Sequence, residues 1–269
     1  MKAKKIWSLL MALAMVSSLA ACGDTAEEDT DTAEVSDQAY VQDKGTLVVG
    51  ITEFEPMDYQ DESGEWVGFD ADLAKEFAES LGVEAQFQII DWDSKVMELD
   101  GKTIDVVWNG MTLTEDVTSA MECSQPYLIN QQVVVVPAAV ADQYQSEDSL
   151  ADLSFAVEIG SAGCGTAAAN GYNYTEVADQ ATALLEVASG TADAAIIDSL
   201  MAGAMIGEGT SYADLTSTVA LTSEEYGVGF RKGSDLAAAL NEFLDGKYAD
   251  GSIQTLAETY GVQDALVTE

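Results

Sequence analysis

From Thr46 to Tyr260, short β-branched apolar runs alternate with stretches whose apolar residues recur at helical spacing. No other feature restricts the fold as much. Residues 46–51 read as a strand that ends ahead of a proline. Residues 69–81 carry Leu73, Phe77 and Leu81 on one helical face, and Gly82 stands just past them as a stop. Residues 84–90 and 104–108 read as strands around a helix at 94–99. Further strands are expected at 132–137, 154–158 and 192–197, and helices at 163–169, 180–188, 200–206, 235–244 and 253–260. Repeated β-α-β units predict a mostly parallel sheet covered by helices. Two such sheets in tandem account for the 269 residues.

Composition narrows the function. The chain has 48 acidic and 10 basic residues, a formal charge of −38, yet it is 48 % hydrophobic, which suits a folded protein. Nucleic acid is excluded as a partner because phosphates need clustered Lys and Arg. An anionic membrane surface is excluded as an electrostatic partner for the same reason. With no histidine there is no Ser-His triad, His general base or His metal site. No phosphate-binding loop and no paired Cys/His spacing is present, so neither cofactor nor metal is expected. Cys123 and Cys164 are expected to be unpaired thiols.

The N-terminus reads as an address. Lys2, Lys4 and Lys5 precede an apolar run over residues 6–21 that is too short and too interrupted for a transmembrane helix. Residues 1–21 are therefore expected to be a signal peptide. The end, Leu19-Ala-Ala-Cys22, resembles a bacterial lipobox, which implies lipidation of Cys22. Residues 23–43 hold eight acids, no base and few large apolar side chains. Residues 22–43 are thus expected to be a lipidated cysteine followed by a disordered acidic tether.

Four motifs then follow in order. They are Val67-Gly-Phe-Asp-Ala-Asp-Leu-Ala74, Gly101-Lys-Thr-Ile-Asp-Val-Val-Trp-Asn-Gly-Met-Thr-Leu-Thr114, Cys123-Ser-Gln-Pro-Tyr127 and Tyr226-Gly-Val-Gly-Phe-Arg-Lys-Gly233. Together they resemble the substrate-binding proteins of polar-amino-acid ABC transporters, the family 3 solute-binding proteins. The resemblance runs from about Lys44 to Val262. It implies an α/β, type II periplasmic-binding-protein fold, a Venus flytrap of two α/β lobes joined by two crossing strands. The implied division is 44–129 for the first part of lobe 1, 130–225 for lobe 2 and 226–269 for the return part of lobe 1. Ligand binding would hold the lobes together.

The resemblance also implies a ligand site. Phe54 and Trp92 match two aromatics that stack on the ligand, and the acidic residue the family often carries beside the first falls on Thr52 or Glu53; the aromatics themselves read equally as core. Asn109, Gly110 and Thr112 match the segment that lines the cleft from lobe 1, although Gly110 also suits a plain turn. Ser161 and Ala162 match a turn that opens a helix, whose N–H groups suit a carboxylate. Asp198 matches the aspartate that pairs with an α-ammonium, and also reads as a helix N-cap. The family's carboxylate-binding arginine is missing, because Val117 stands in its place. Lys95 is the one nearby base that would substitute, and the only arginine, Arg231, lies in the final strand segment.

The expected function is capture of a small amino acid-like ligand, neutral or cationic, for delivery to the permease and ATPase subunits of an ABC importer. The protein is expected to be a monomer, exported and held by its lipid on the outer face of the cytoplasmic membrane of a Gram-positive-type bacterium. It is not expected to be an enzyme. The alternatives are a binder of a carboxylate-free amine or other small cation, and a cyclohexadienyl dehydratase-like enzyme on the same fold.

Overall fold

The computed structural model describes residues 36–268. The signal peptide, Cys22 and the start of the acidic tether lie outside the described residues. The chain opens with helix α1 (Asp37–Lys44), strand β1 (Thr46–Ile51) and a small hairpin of β2 (Tyr59–Gln60) and β3 (Trp66–Val67). It continues through α2 (Phe69–Ser80), β4 (Glu84–Ile89), α3 (Lys95–Asp100), β5 (Val106–Thr112), α4 (Glu115–Ala120) and β6 (Glu122–Cys123). Strand β7 (Leu128–Asn130) leads out of this part. There follow β8 (Gln132–Pro137), β9 (Ser154–Glu158), α5 (Ala162–Asn170), β10 (Asn173–Val177), α6 (Gln180–Ser189), β11 (Ala194–Asp198), α7 (Ser199–Met205) and β12 (Leu215–Ala220). Strand β13 (Glu224–Phe230) returns, and α8 (Leu236–Asp250) and α9 (Ser252–Tyr260) complete the fold.

Two sheets result, one per lobe. The first has the order β4-β1-β5-β13-β6, and the second β10-β9-β11-β8-β12. In each, three neighbouring strands run parallel and one long strand runs against them, β13 beside β5 and β8 beside β11. The sheets are interleaved, not in tandem as the β-α-β count alone suggested, because β13 enters the first sheet from the far end of the chain. Strands β7 and β13 cross between the lobes as an antiparallel pair, with Glu224 opposite Asn130 and Tyr226 opposite Leu128.

Burial explains why these runs are strands. On β8, Val133 and Val135 join one apolar cluster while Val134 and Val136 join another on the opposite face. Both faces of the sheet are covered, so every side chain in the run is apolar. Helix α2 buries Phe69, Leu73, Phe77 and Ala78 against the first sheet, with Phe77 packed on Trp108 at 6.1 Å.

The acidic tether does not extend to residue 43. Residues 37–44 form α1, capped by Ser36, whose side chain accepts from the Ala39 N–H. The helix has little apolar surface and is fixed by charge. Asp37 accepts from Nε of Arg231 at 3.0 Å, and Lys44 pairs with the buried Asp105. The Arg231 guanidinium also donates to the carbonyls of Leu99 and Ile104 and lies 3.6 Å from Asp105. Cys123 and Cys164 are separate free thiols, as expected.

Candidate binding cleft

A cleft of about 1030 Å³ lies between the lobes, where the carboxyl ends of the parallel strands converge. Of the nine ligand-site residues expected from sequence, eight line it. Glu53 does not: it is exposed, and its neighbour Thr52 lines the wall instead.

The lobe 1 wall is built from the ends of β1 and β5. Phe54 is buried and meets Tyr226 edge-on, with centroids 6.4 Å apart and planes at 83°. Gly110 has φ +54°, and a Cβ there would stand 2.6 Å from the Phe54 ring. Glycine at 110 is therefore required by both conformation and space. Its N–H donates to Asp70 at 2.7 Å, and the Tyr127 hydroxyl donates to the same carboxylate at 2.8 Å. Asn109 lines the cleft, but its side chain is fully engaged inward. Its Oδ1 accepts from the Thr52 N–H and hydroxyl, while Nδ2 donates to the Thr52 carbonyl and to Asp58. Only its backbone remains for a ligand. Burial raises the Asp70 carboxyl to about 6, and burial together with Asp70 pushes Asp58 well above the usual carboxylate range.

The lobe 2 wall is built from the ends of β9 and β11 and the start of α5. Ser161 caps α5, its hydroxyl accepting from the Cys164 N–H at 3.0 Å, and Ala162 opens the helix beside it. Asp198 sits at the N-cap of α7, yet its side chain makes no cap bond. Its carboxylate turns to the cleft and accepts from Asn130, from Gln132 and from Gln180. Burial and the charge of Glu224 raise it to about 7. Glu158, also buried, is raised to about 8 by burial and by Asp198.

The crossing strands close the back. Glu224 on β13 accepts from Asn130 and Gln132, the same amides that serve Asp198, so two carboxylates share two donors. Thr112 is here too, its hydroxyl donating to Glu224 at 2.8 Å. Sequence reasoning missed Glu158, Gln180 and Glu224. Glu158 and Asp198 both end parallel strands, so strand-end position was the available signal for Glu158. Val117 lines the cleft from α4, and Lys95 is the one basic residue along the walls. Arg231 is elsewhere, in the α1 knot.

A sequence profile of the bacterial extracellular solute-binding proteins, family 3, matches residues 47–263. The chain belongs to this family. This family 3 protein is 29 % identical over 224 residues to the L-cystine-binding protein TcyJ of Escherichia coli (strain K12), covering 82 % of this chain and 84 % of the relative. It superposes on a mutant of ArgBP from T. maritima with a TM-score of 0.77 and 33 % identity, covering 83 % of this chain and 98 % of that one. It also superposes on the ancestral amino acid-binding protein AncCDT-1, described as a precursor of cyclohexadienyl dehydratase. There the TM-score is 0.76 with 30 % identity, over 84 % of this chain and 99 % of that one. The type II periplasmic-binding-protein fold is thus established for this family 3 protein. Among the described residues, no helix is long and apolar enough to cross a membrane.

Proposed function

We propose that this chain is an exported, lipid-anchored receptor that captures a small amino acid-like ligand bearing an ammonium group and hands it to the permease and ATPase subunits of an ABC importer. The observation that carries the reading is the charge of the cleft. Asp198 and Glu224 share two amide donors at its back, Glu158 stands beside them, and no arginine faces them. Such a site favours a ligand that brings positive charge and disfavours an acidic one. The relatives named for cystine and arginine support an amino acid as the class. Phe54 and Trp92 would contact the ligand's stem, the backbone at Asn109 and Gly110 and the Thr112 hydroxyl its head, and the α5 N-terminus at Ser161 and Ala162 its carboxylate. The pairing of β7 with β13 supports lobe boundaries at 129/130 and 225/226.

A second reading has its own observation. Val117 lines the wall where an arginine would grip a carboxylate, and the Lys95 ammonium is engaged elsewhere. A carboxylate-free amine fits those facts. Export, anchoring through Cys22 on a Gram-positive-type cytoplasmic membrane and a monomeric state complete the proposal, supported by the lipobox-like Leu19-Ala-Ala-Cys22. A dehydratase role is disfavoured because a dicarboxylate substrate needs cationic partners, and the walls offer only Lys95, whose ammonium already donates to two carbonyls. Calorimetry with L-glutamine, L-arginine, L-cystine, L-glutamate and the amine cadaverine tests the whole reading. Binding of an ammonium ligand other than glutamate is expected. Exclusive binding of L-glutamate, or of none of the five, overturns it.

A further inference from the structure

Lys95 is the only described cation with a polar contact to lobe 2. Every described ion pair lies within lobe 1 or joins it to α1. Lobe 2 carries no base of its own, since no Lys or Arg occurs between Lys102 and Arg231. The Lys95 ammonium donates to the Trp92 carbonyl at 3.0 Å in lobe 1 and to the Gly160 carbonyl at 3.1 Å in lobe 2. It also lies 4.7 Å from the centroid of the Trp92 ring, over its face. Two carbonyls and an indole face are what a guanidinium or ammonium from outside would seek. The lobes meet at the same point: a Cβ on Gly160 would stand 2.8 Å from Cα of Asp93. One acceptor beside this nest is left over. Glu158 Oε1 is buried and has no hydrogen-bond partner, and Glu158 lines the cleft.

We propose that Lys95 is a tethered cation that fills the aromatic-carbonyl slot over Trp92, so that the cleft rejects ligands with a positively charged far end and accepts a neutral, hydrogen-bonding one. This deepens the proposed function, on which the ligand arm of the test rests. Lys95 is a specificity-determining residue whose charge repels a second cation at short range. Burial draws the ammonium down from the usual lysine range, while the nearby Glu158 and Asp93 act in the opposite sense. The acceptor left on Glu158 suits an N–H of a ligand amide.

Two experiments test the slot. In calorimetry, wild-type protein is expected to bind L-glutamine at least tenfold more tightly than L-arginine. Lys95→Met keeps the apolar stem and removes the charge, so it is expected to raise the affinity for L-arginine relative to L-glutamine at least tenfold. Lys95→Arg, which retains the charge, is expected to leave that ratio as in wild type. An unchanged arginine-to-glutamine ratio in Lys95→Met overturns the proposal. The second experiment needs no amino acid. Lys95→Ala opens the slot, and propylammonium chloride is expected to raise its melting temperature by several degrees more than it raises wild type. Tetramethylammonium and sodium chloride, which lack N–H donors, are expected to leave that difference at zero. Equal responses to all three salts overturn the slot. Failure of wild type to bind any amino acid overturns the proposed function alone, since propylammonium rescue reports on the slot independently.

Discussion

Asp198 has three amide donors and a carboxyl raised to about 7, so in the empty cleft at neutral pH it is close to half protonated. An ammonium ligand binds the ionised form. Its affinity is therefore expected to rise as pH increases from 6 to 8, and to level off once Asp198 is fully charged. Asp198→Asn is expected to weaken an ammonium ligand about 10–150-fold, the worth of one charge-assisted hydrogen bond, and to flatten the rise attributed to this residue. Calorimetry across that pH range checks both. Asp198, Gly110, Phe54 and Trp92 were legible as cleft residues through the resemblance of their motifs to the family, since a strand end, a glycine and aromatics in short loops by themselves read equally as cap, turn and core. Asn109 and Thr112 were legible as cleft residues but not in their roles. Their side chains face Thr52, Asp58 and Glu224, partners far away along the chain that no local pattern reveals.

Elements followed the same division. Strands covered on both faces, such as β8 and β11, stand out as apolar runs and were found. Strands β10 and β12 lie at the sheet edge with mixed exposure, and their sequences show no apolar run. Helix α1 was hidden more thoroughly. With Val41 its only buried apolar residue, Asp37-Gln-Ala-Tyr-Val-Gln-Asp-Lys44 has the composition of a tether and is held as a helix mainly by tertiary ion pairs, with Val41 and Tyr40 against the core and Ser36 as cap. Arg231 is the centre of that contact. Arg231→Gln takes one of two cations from the buried Asp105, which keeps Lys44, and removes the charge-assisted bonds to Asp37 and to the Leu99 and Ile104 carbonyls. The expected result is a lower urea midpoint and faster hydrogen exchange across 37–44, with L-glutamine affinity within threefold of wild type. An unchanged midpoint would contradict the proposed role of the knot.

Across the whole molecule the acid excess acts on stability in an unusual sense. Asp58, Asp70, Glu158 and Asp198 are all raised in the folded state, chiefly by burial. Between the ordinary carboxylate range and about 8, the folded chain holds protons that the unfolded chain has released. The stability so gained is complete at low pH, declines as pH rises through that window, and levels off above it. The ligand-free protein is expected to melt at least about 5 °C lower at pH 8 than at pH 5, the shift that about 2 kcal/mol gives in a domain of this size. Differential scanning calorimetry reads it directly, and a higher melting point at pH 8 would refute the assignment. The Arg231 knot has a mechanical corollary. It fastens the first described helix to the lobe that contains β1 and β13, so tension arriving along the backbone ahead of Ser36 is borne by that lobe. The other lobe hangs on β7 and β13 like an arm on its pivot. In a lipid-anchored receptor of the kind proposed, it would swing without hauling on the mooring line.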